Sequence, residues 1–82
     1  MSNTPHELHE EFPGQAELLS SLKATDAHFA KLAEAYHEVN RDIHRAETNV
    51  EPADDMHIIQ LRKERGLLKD QIAALLRAAA TA

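Results

Sequence analysis

Histidines and carboxylates are concentrated in the stretch HELHEEFPG, residues 6 to 14. His9 and Glu10 lie three and four residues after His6, which places all three on one face of a helix, where metal ligands can converge. The zincin pattern, however, needs two histidines four apart with a glutamate between them, and no further ligand lies near enough to complete a coordination sphere. We therefore predict no metal and no cofactor, and these three residues are weak candidates only. The alternative is the polar start of a helix with its histidines in water.

The sequence has no pattern typical of a catalytic site. Its two glycines cannot form a glycine-rich loop around a phosphate. Ser20 and Ser21 lie in a helical stretch with no base at a suitable spacing. We predict that the protein is not an enzyme.

The composition restricts the partners and the compartment. Nine basic residues are interspersed with fourteen acidic ones, so the net charge of -5 argues against nucleic-acid binding, which needs clustered Lys and Arg. The chain has no cysteine for a disulfide framework and no run of about 18 apolar residues to enter a membrane. We expect a cytoplasmic protein. Protonation of its six histidines would change the formal charge from -5 to +1, which leaves a pH-responsive module open.

One domain, residues 1–82, is expected, beginning with an N-terminal arm over residues 1–13. Thr4, Pro5 and Glu7 form a helix-start signal, with an N-cap, a proline at the first helical position and a capping-box acid. They predict a short helix from about residue 5 to residue 11. This helix must end near Phe12, because the residue before Pro13 is pushed out of the helical region. We predict that the Phe12 ring anchors the arm on apolar surface.

A first long helix is predicted over residues 14–48. Its apolar positions alternate in steps of four and three, which is a heptad pattern with one polar interruption at Thr25. Because Thr25 or Asp26 can cap a new helix, either a kink near residue 25 or two helices, about 14–24 and 26–48, would fit. The repeating positions are Leu18, Leu22, Thr25, Phe29, Leu32, Tyr36, Val39, Ile43, Ala46 and Val50.

A turn over residues 49–54 and a second long helix over residues 55–80 follow. Two helices of matching period joined by a short turn are expected to pair as an antiparallel, coiled-coil-like hairpin. Arg65 occupies one of the pairing positions, and we expect its charge to meet Asp42 or Glu38, with an anionic ligand as the alternative. The repeating positions are Ile58, Leu61, Arg65, Leu68, Ile72, Leu75 and Ala79.

The second long helix also has apolar residues away from its pairing positions. We interpret this second face as an interface for self-association, in which small residues let another helix approach closely. The alternative is that the arm folds back and covers the face with Leu8 and Phe12. The predicted interface residues are Phe12, Ile59, Gly66, Leu67, Ala73 and Leu76. The predicted fold class is therefore all-α, a helical hairpin with a short N-terminal helix, forming an oligomer.

Three separated motifs carry a resemblance: HEEFPG, LKATDAHFAKLAEAYHEVNRDIHRAE and LRKERGLLKDQIAALL. In order and spacing the chain resembles the YdcH-like family of short bacterial proteins, a domain of unknown function. The matching positions are His9, Glu10, Glu11, Phe12, Pro13, Asp26, Phe29, Tyr36, Leu68, Lys69 and Asp70. Relatives often have proline where this chain has Ala27, which weakens the case for a full break at residue 26. The resemblance implies a helical hairpin and no activity, cofactor or catalytic residue.

These observations predict a small structural or interaction protein that acts through helix-helix association. Its expected partners are a second copy of the chain and a protein that the sequence does not identify, with no nucleic acid and no membrane. The alternative is a histidine-rich module that binds metal or responds to pH.

Overall fold

A computed structural model describes residues 5–48 and 55–81. The described residues form helices and no strand, so the predicted all-α class is confirmed. The helices are α1 (Leu8–Glu11), α2 (Ala16–Thr25), α3 (Ala27–Thr48) and α4 (Asp55–Thr81). The predicted cap Thr4 and the predicted turn over residues 49–54 lie outside the described residues. Among the described helices, none combines the length and the hydropathy that a bilayer span requires.

Helix α1 is shorter than predicted, because it begins at Leu8 instead of about residue 5. The cause is His6, whose φ of +64° lies in the left-handed region and cannot continue a right-handed helix. Glu7 takes the N-cap position without a side-chain cap. The helix ends before Phe12, as the following proline predicts, and Gly14 supplies a φ of +82° where the chain turns into α2.

Asp26 separates α2 from α3, so the structure has two helices at this point and not a kinked one. Its backbone is extended, and its Oδ1 accepts hydrogen bonds from the backbone N–H groups of His28 at 3.0 Å and Phe29 at 3.2 Å. This is the hydrogen bonding of an N-cap, which satisfies donors that the first helical turn leaves free. The aspartate therefore suffices to start α3 without a proline at residue 27.

The core lies between α3 and α4, which make the most extensive contact of any two helices, with α2 packed against α3. The buried apolar residues are Leu8, Leu19, Phe29, Ala33, Tyr36, Ile43, Leu61, Ile72 and Leu76. Most of these positions follow the heptad pattern, but Leu8, Leu19, Ala33 and Leu76 do not. They are buried because the arm and α2 cover a second flank of the helix pair, which widens the apolar stripe beyond one coiled-coil seam.

Candidate functional site

Two buried side chains of α3 hold the backbone of the arm. The Tyr36 hydroxyl donates a 2.6 Å hydrogen bond to the His6 carbonyl, and the Asn40 Nδ2 donates one of 2.8 Å to the Pro5 carbonyl. Both donors belong to residues that are 1% exposed. Since a buried polar group without a partner costs about 1–3 kcal/mol, these two carbonyls fix where the arm lies.

Arg65 on α4 completes this polar layer. Its Nη1 donates a 2.9 Å hydrogen bond to the Asn40 Oδ1, so the amide presents its nitrogen toward the arm. The expectation that Arg65 meets Asp42 or Glu38 is wrong, because Asp42 pairs with Arg45 one turn away and the buried amide takes the guanidinium. We name the group Tyr36, Asn40 and Arg65 the arm dock.

Charged contacts continue the attachment on both sides of the dock. Glu11 accepts a 3.1 Å hydrogen bond from the Lys69 Nζ and lies 3.6 Å from the His6 Nδ1. The Lys69 hydrogen bond is the main cause that lowers the pKa of Glu11. On the other side, the Glu7 Oε2 lies 3.3 Å from the His37 Nδ1. The Lys69 contact joins the arm to α4 and the His37 contact joins it to α3, whereas the contact between His6 and Glu11 lies within the arm.

The hydroxyl of Tyr36 is perturbed by its position in the dock. Burial raises its pKa to about 12, and the negative charge of Glu11 acts in the same direction. Only the neutral hydroxyl can donate a hydrogen bond to the His6 carbonyl. The surroundings, which raise the pKa, therefore favour the protonated form that this hydrogen bond needs.

The arm is also attached through its apolar side chains. Leu8 is 7% exposed and belongs to the core cluster, whereas Phe12 is half-buried and packs against that cluster. Phe12 also lines a small cavity of about 170 Å³ beside α4, with Ala73 and Leu76. Leu8, which the heptad pattern does not include, is therefore the more deeply buried of the two.

The metal-ligand candidates of the arm do not converge. His9 and Glu10 are exposed, and His6 lies beside Glu11 instead. Over residues 5–48 and 55–81, no group of three histidines or carboxylates is placed to hold a metal ion.

An open cleft of about 620 Å³ lies between the arm, α2 and α3. Its apolar lining comes from residues that include Leu8, Leu19 and Ala33, and its polar lining includes Ser20 and His37. Within the described residues no serine hydroxyl is hydrogen-bonded to a histidine, and the His37 ring contacts Glu7. The arrangement offers a concave surface with a mixed apolar and polar lining.

The outer face of α4 carries large apolar groups in water. Ile59 is 45% exposed and Leu67 is 63% exposed. Gly66 lies beside them, and a Cβ added there would meet no atom within 4 Å. We name Ile59, Gly66 and Leu67 the α4 stripe. The structure leaves their predicted role as an interface between copies untested.

Leu76 is placed differently from the prediction. It is 3% exposed and belongs to the core cluster with Leu8 and Leu19, so the view that its own chain leaves it uncovered is wrong. Ala73, also predicted for the interface, is half-buried. The alternative in which the arm folds back therefore applies to this end of α4.

Sequence reasoning missed Asn40, the one buried polar residue among those described. A weak signal was present, because Asn40 follows Tyr36 by four residues and so lies on the same face of α3. Its partners come from residues 25 and 35 positions away, which no local pattern encodes.

Comparison with known proteins gives one match. The family model described as a protein of unknown function, DUF465, matches residues 29–76, a segment that contains Tyr36, Asn40 and Arg65. No curated protein and no solved structure matches the chain. YdcH-like proteins are part of this family, so the resemblance noted in the sequence is confirmed. The chain belongs to the DUF465 family.

Proposed function

We propose that the protein is a small interaction protein whose α3 and α4 form an antiparallel helical hairpin. Two side-chain pairs support this arrangement: Arg62 is 2.9 Å from Glu47, and Arg65 is 2.9 Å from Asn40. The later residue of α4 pairs with the earlier residue of α3, as antiparallel helices require. No catalytic role is assigned to the hairpin in this proposal.

The hairpin self-associates through the α4 stripe, and the exposure of Leu67 is the observation that carries this proposal. Large exposed apolar groups that share one side of a helix mark an interaction surface more often than scattered ones do. Ile59 and Leu67 are eight residues apart, which places them about two turns apart along α4. Burial of each can contribute about 1–2 kcal/mol before the costs of association are subtracted.

Gly66 favours a second helix as the occupant of the stripe. The open space at its Cα lets the backbone of another helix approach closely beside Leu67. A second copy of α4 presents the same combination of large and small residues, so a twofold contact is self-complementary.

The test is sedimentation equilibrium of charge variants. Leu67→Glu and Gly66→Glu place a carboxylate in the stripe and are expected to convert a dimer to a monomer with helicity retained. Ala24→Glu on α2 is the matched control, since Ala24 is exposed and the change in charge is the same as for Leu67→Glu. It should leave the dimer intact. A wild-type chain that sediments as a monomer at high micromolar concentration contradicts the proposal.

A further inference from the structure

The arm dock binds the arm in the way that a peptide-binding site binds a peptide. It recognises two successive backbone carbonyls, those of Pro5 and His6, through donors in residues that are 1% exposed. The core receives the Leu8 side chain two residues later. Peptide-binding sites combine backbone hydrogen bonds for affinity with side-chain pockets for specificity in the same way.

Side-chain contacts add selectivity to this recognition. Glu11 of the arm faces the opposite charge of Lys69, and Glu7 faces the ring nitrogen of His37. These polar determinants lie within seven residues of one segment, from Pro5 to Glu11. The dock itself belongs entirely to α3 and α4.

Residues 12–15 connect α1 to α2, with Phe12 packed against the core cluster and Gly14 at a φ of +82°. The contacts of the arm join residues 30 to 58 positions apart, and an identical arm from a second copy carries the same groups to make them. In domain swapping, a change of backbone torsions in such a connection directs a segment to a neighbouring molecule.

We propose that in the self-associated protein the arm dock of each copy binds the arm of the other copy. This inference rests on the proposed association through α4, which raises the local concentration of the second arm when residues 12–15 span the gap between the two copies. Release of an arm without replacement would leave the Tyr36 hydroxyl and the Asn40 amide without their acceptors. The second copy carries the identical segment and restores every one of these contacts.

A charge exchange between Glu11 and Lys69 tests the proposal with full-length chains. In the Glu11→Lys variant, lysines occupy both position 11 and position 69 of the contact. In the Lys69→Glu variant, glutamates occupy both positions. Like charges meet in each single variant, whether the arm docks within its own chain or on an identical chain. A mixed dimer with exchanged arms restores an opposite pair at both docks. Both side chains are partly exposed, which keeps the substitutions out of the core.

The two variants, one of them labelled with ¹⁵N, are mixed in equal amounts at about pH 8, where most histidines are neutral. Native mass spectrometry then counts each dimer. Arm exchange predicts that the mixed dimer exceeds its share in the statistical 1:2:1 ratio by about fivefold or more. The estimate assumes that each restored exposed ion pair favours the mixed dimer by roughly fivefold. The double variant Glu11→Lys with Lys69→Glu is the control, since mixing it with wild type should deplete the mixed dimer.

Each outcome separates the two proposals. A 1:2:1 distribution overturns arm exchange and leaves association through α4 intact, whereas monomers alone overturn both. Circular dichroism checks the fold of each variant. If a single variant is unfolded by itself, refolding of the mixture into the mixed dimer supports exchange, and a mixture that stays unfolded overturns it.

Discussion

The inner and outer faces of α4 carry similar side chains in different surroundings. Leu76 is 3% exposed and Leu67 is 63% exposed, although both are leucines of one continuous helix. The chain covers the first with the arm and α2, whereas it leaves the second in water. The path of the arm and α2, and not the composition of α4, therefore decides which apolar residues of α4 are available to a partner.

The two faces also differ in their polar groups. The arm dock joins Arg65 and Asn40 in one polar layer. Among the described residues, no buried side-chain nitrogen or oxygen atom lacks a hydrogen bond. Such a fully paired layer specifies one position for the arm. The α4 stripe has a glycine and two apolar side chains, and the exposed Lys63 lies four residues from each of the two apolar ones.

The largest effect is expected from truncation of leucines on the two faces. Leu76→Ala should lower the free energy of unfolding by about 2–5 kcal/mol, because it leaves a cavity in the core. Leu67→Ala should change it by less than about 0.5 kcal/mol at concentrations where the chain is monomeric. Urea unfolding followed by circular dichroism measures both. Equal costs would mean that the two faces are buried alike.

A smaller effect is expected from the polar layer. Asn40→Ala removes the donor to Pro5 and the acceptor of Arg65, so we expect a loss of about 1–3 kcal/mol in the free energy of unfolding. The control is Arg45→Ala, which breaks an exposed pair with Asp42 and should cost under about 1 kcal/mol. If the two losses were the same, the layer would not be buried as described.

The third prediction concerns alkaline pH. Tyr36 has a pKa of about 12 in the folded chain, above its ordinary value of about 10. The unfolded chain therefore loses the phenolic proton first, and stability that is complete below pH 10 falls as the pH rises toward 12. Tyr36 is the only tyrosine, so phenolate absorbance follows this group alone. A rise in phenolate absorbance centred near pH 10 in the folded chain would contradict this prediction, because it would show that the Tyr36 hydroxyl is exposed.

The smallest effect is expected at the histidines of the arm. His6 and His9 are exposed, so changing both to Ala should alter the free energy of unfolding by less than about 1 kcal/mol in total. Melting curves with and without zinc, before and after a chelator, give the measurement. A zinc-dependent rise in Tm that the double variant abolishes would favour the metal-binding alternative.

Heptad spacing predicted the burial of Phe29, Tyr36, Ile43, Leu61 and Ile72, because these positions recur on one side of α3 or of α4. Spacing alone could not predict that Leu8 and Leu76 belong to one core cluster. Their burial depends on how the chain turns at Gly14 and Asp26, which local backbone geometry sets. The arm dock was equally hidden, since a buried asparagine has the same letter as an exposed one and its partners are distant in sequence.

In the proposed assembly, the outer face of α4 meets a second copy of the chain. A dilution series of the ¹⁵N-labelled wild-type protein tests this contact, because backbone amide chemical shifts can be followed from low to high micromolar concentration. Concentration-dependent shifts are expected at Ile59, Gly66 and Leu67, with the amide of Ala24 on α2 unchanged. Stripe amides whose shifts do not depend on concentration would contradict it.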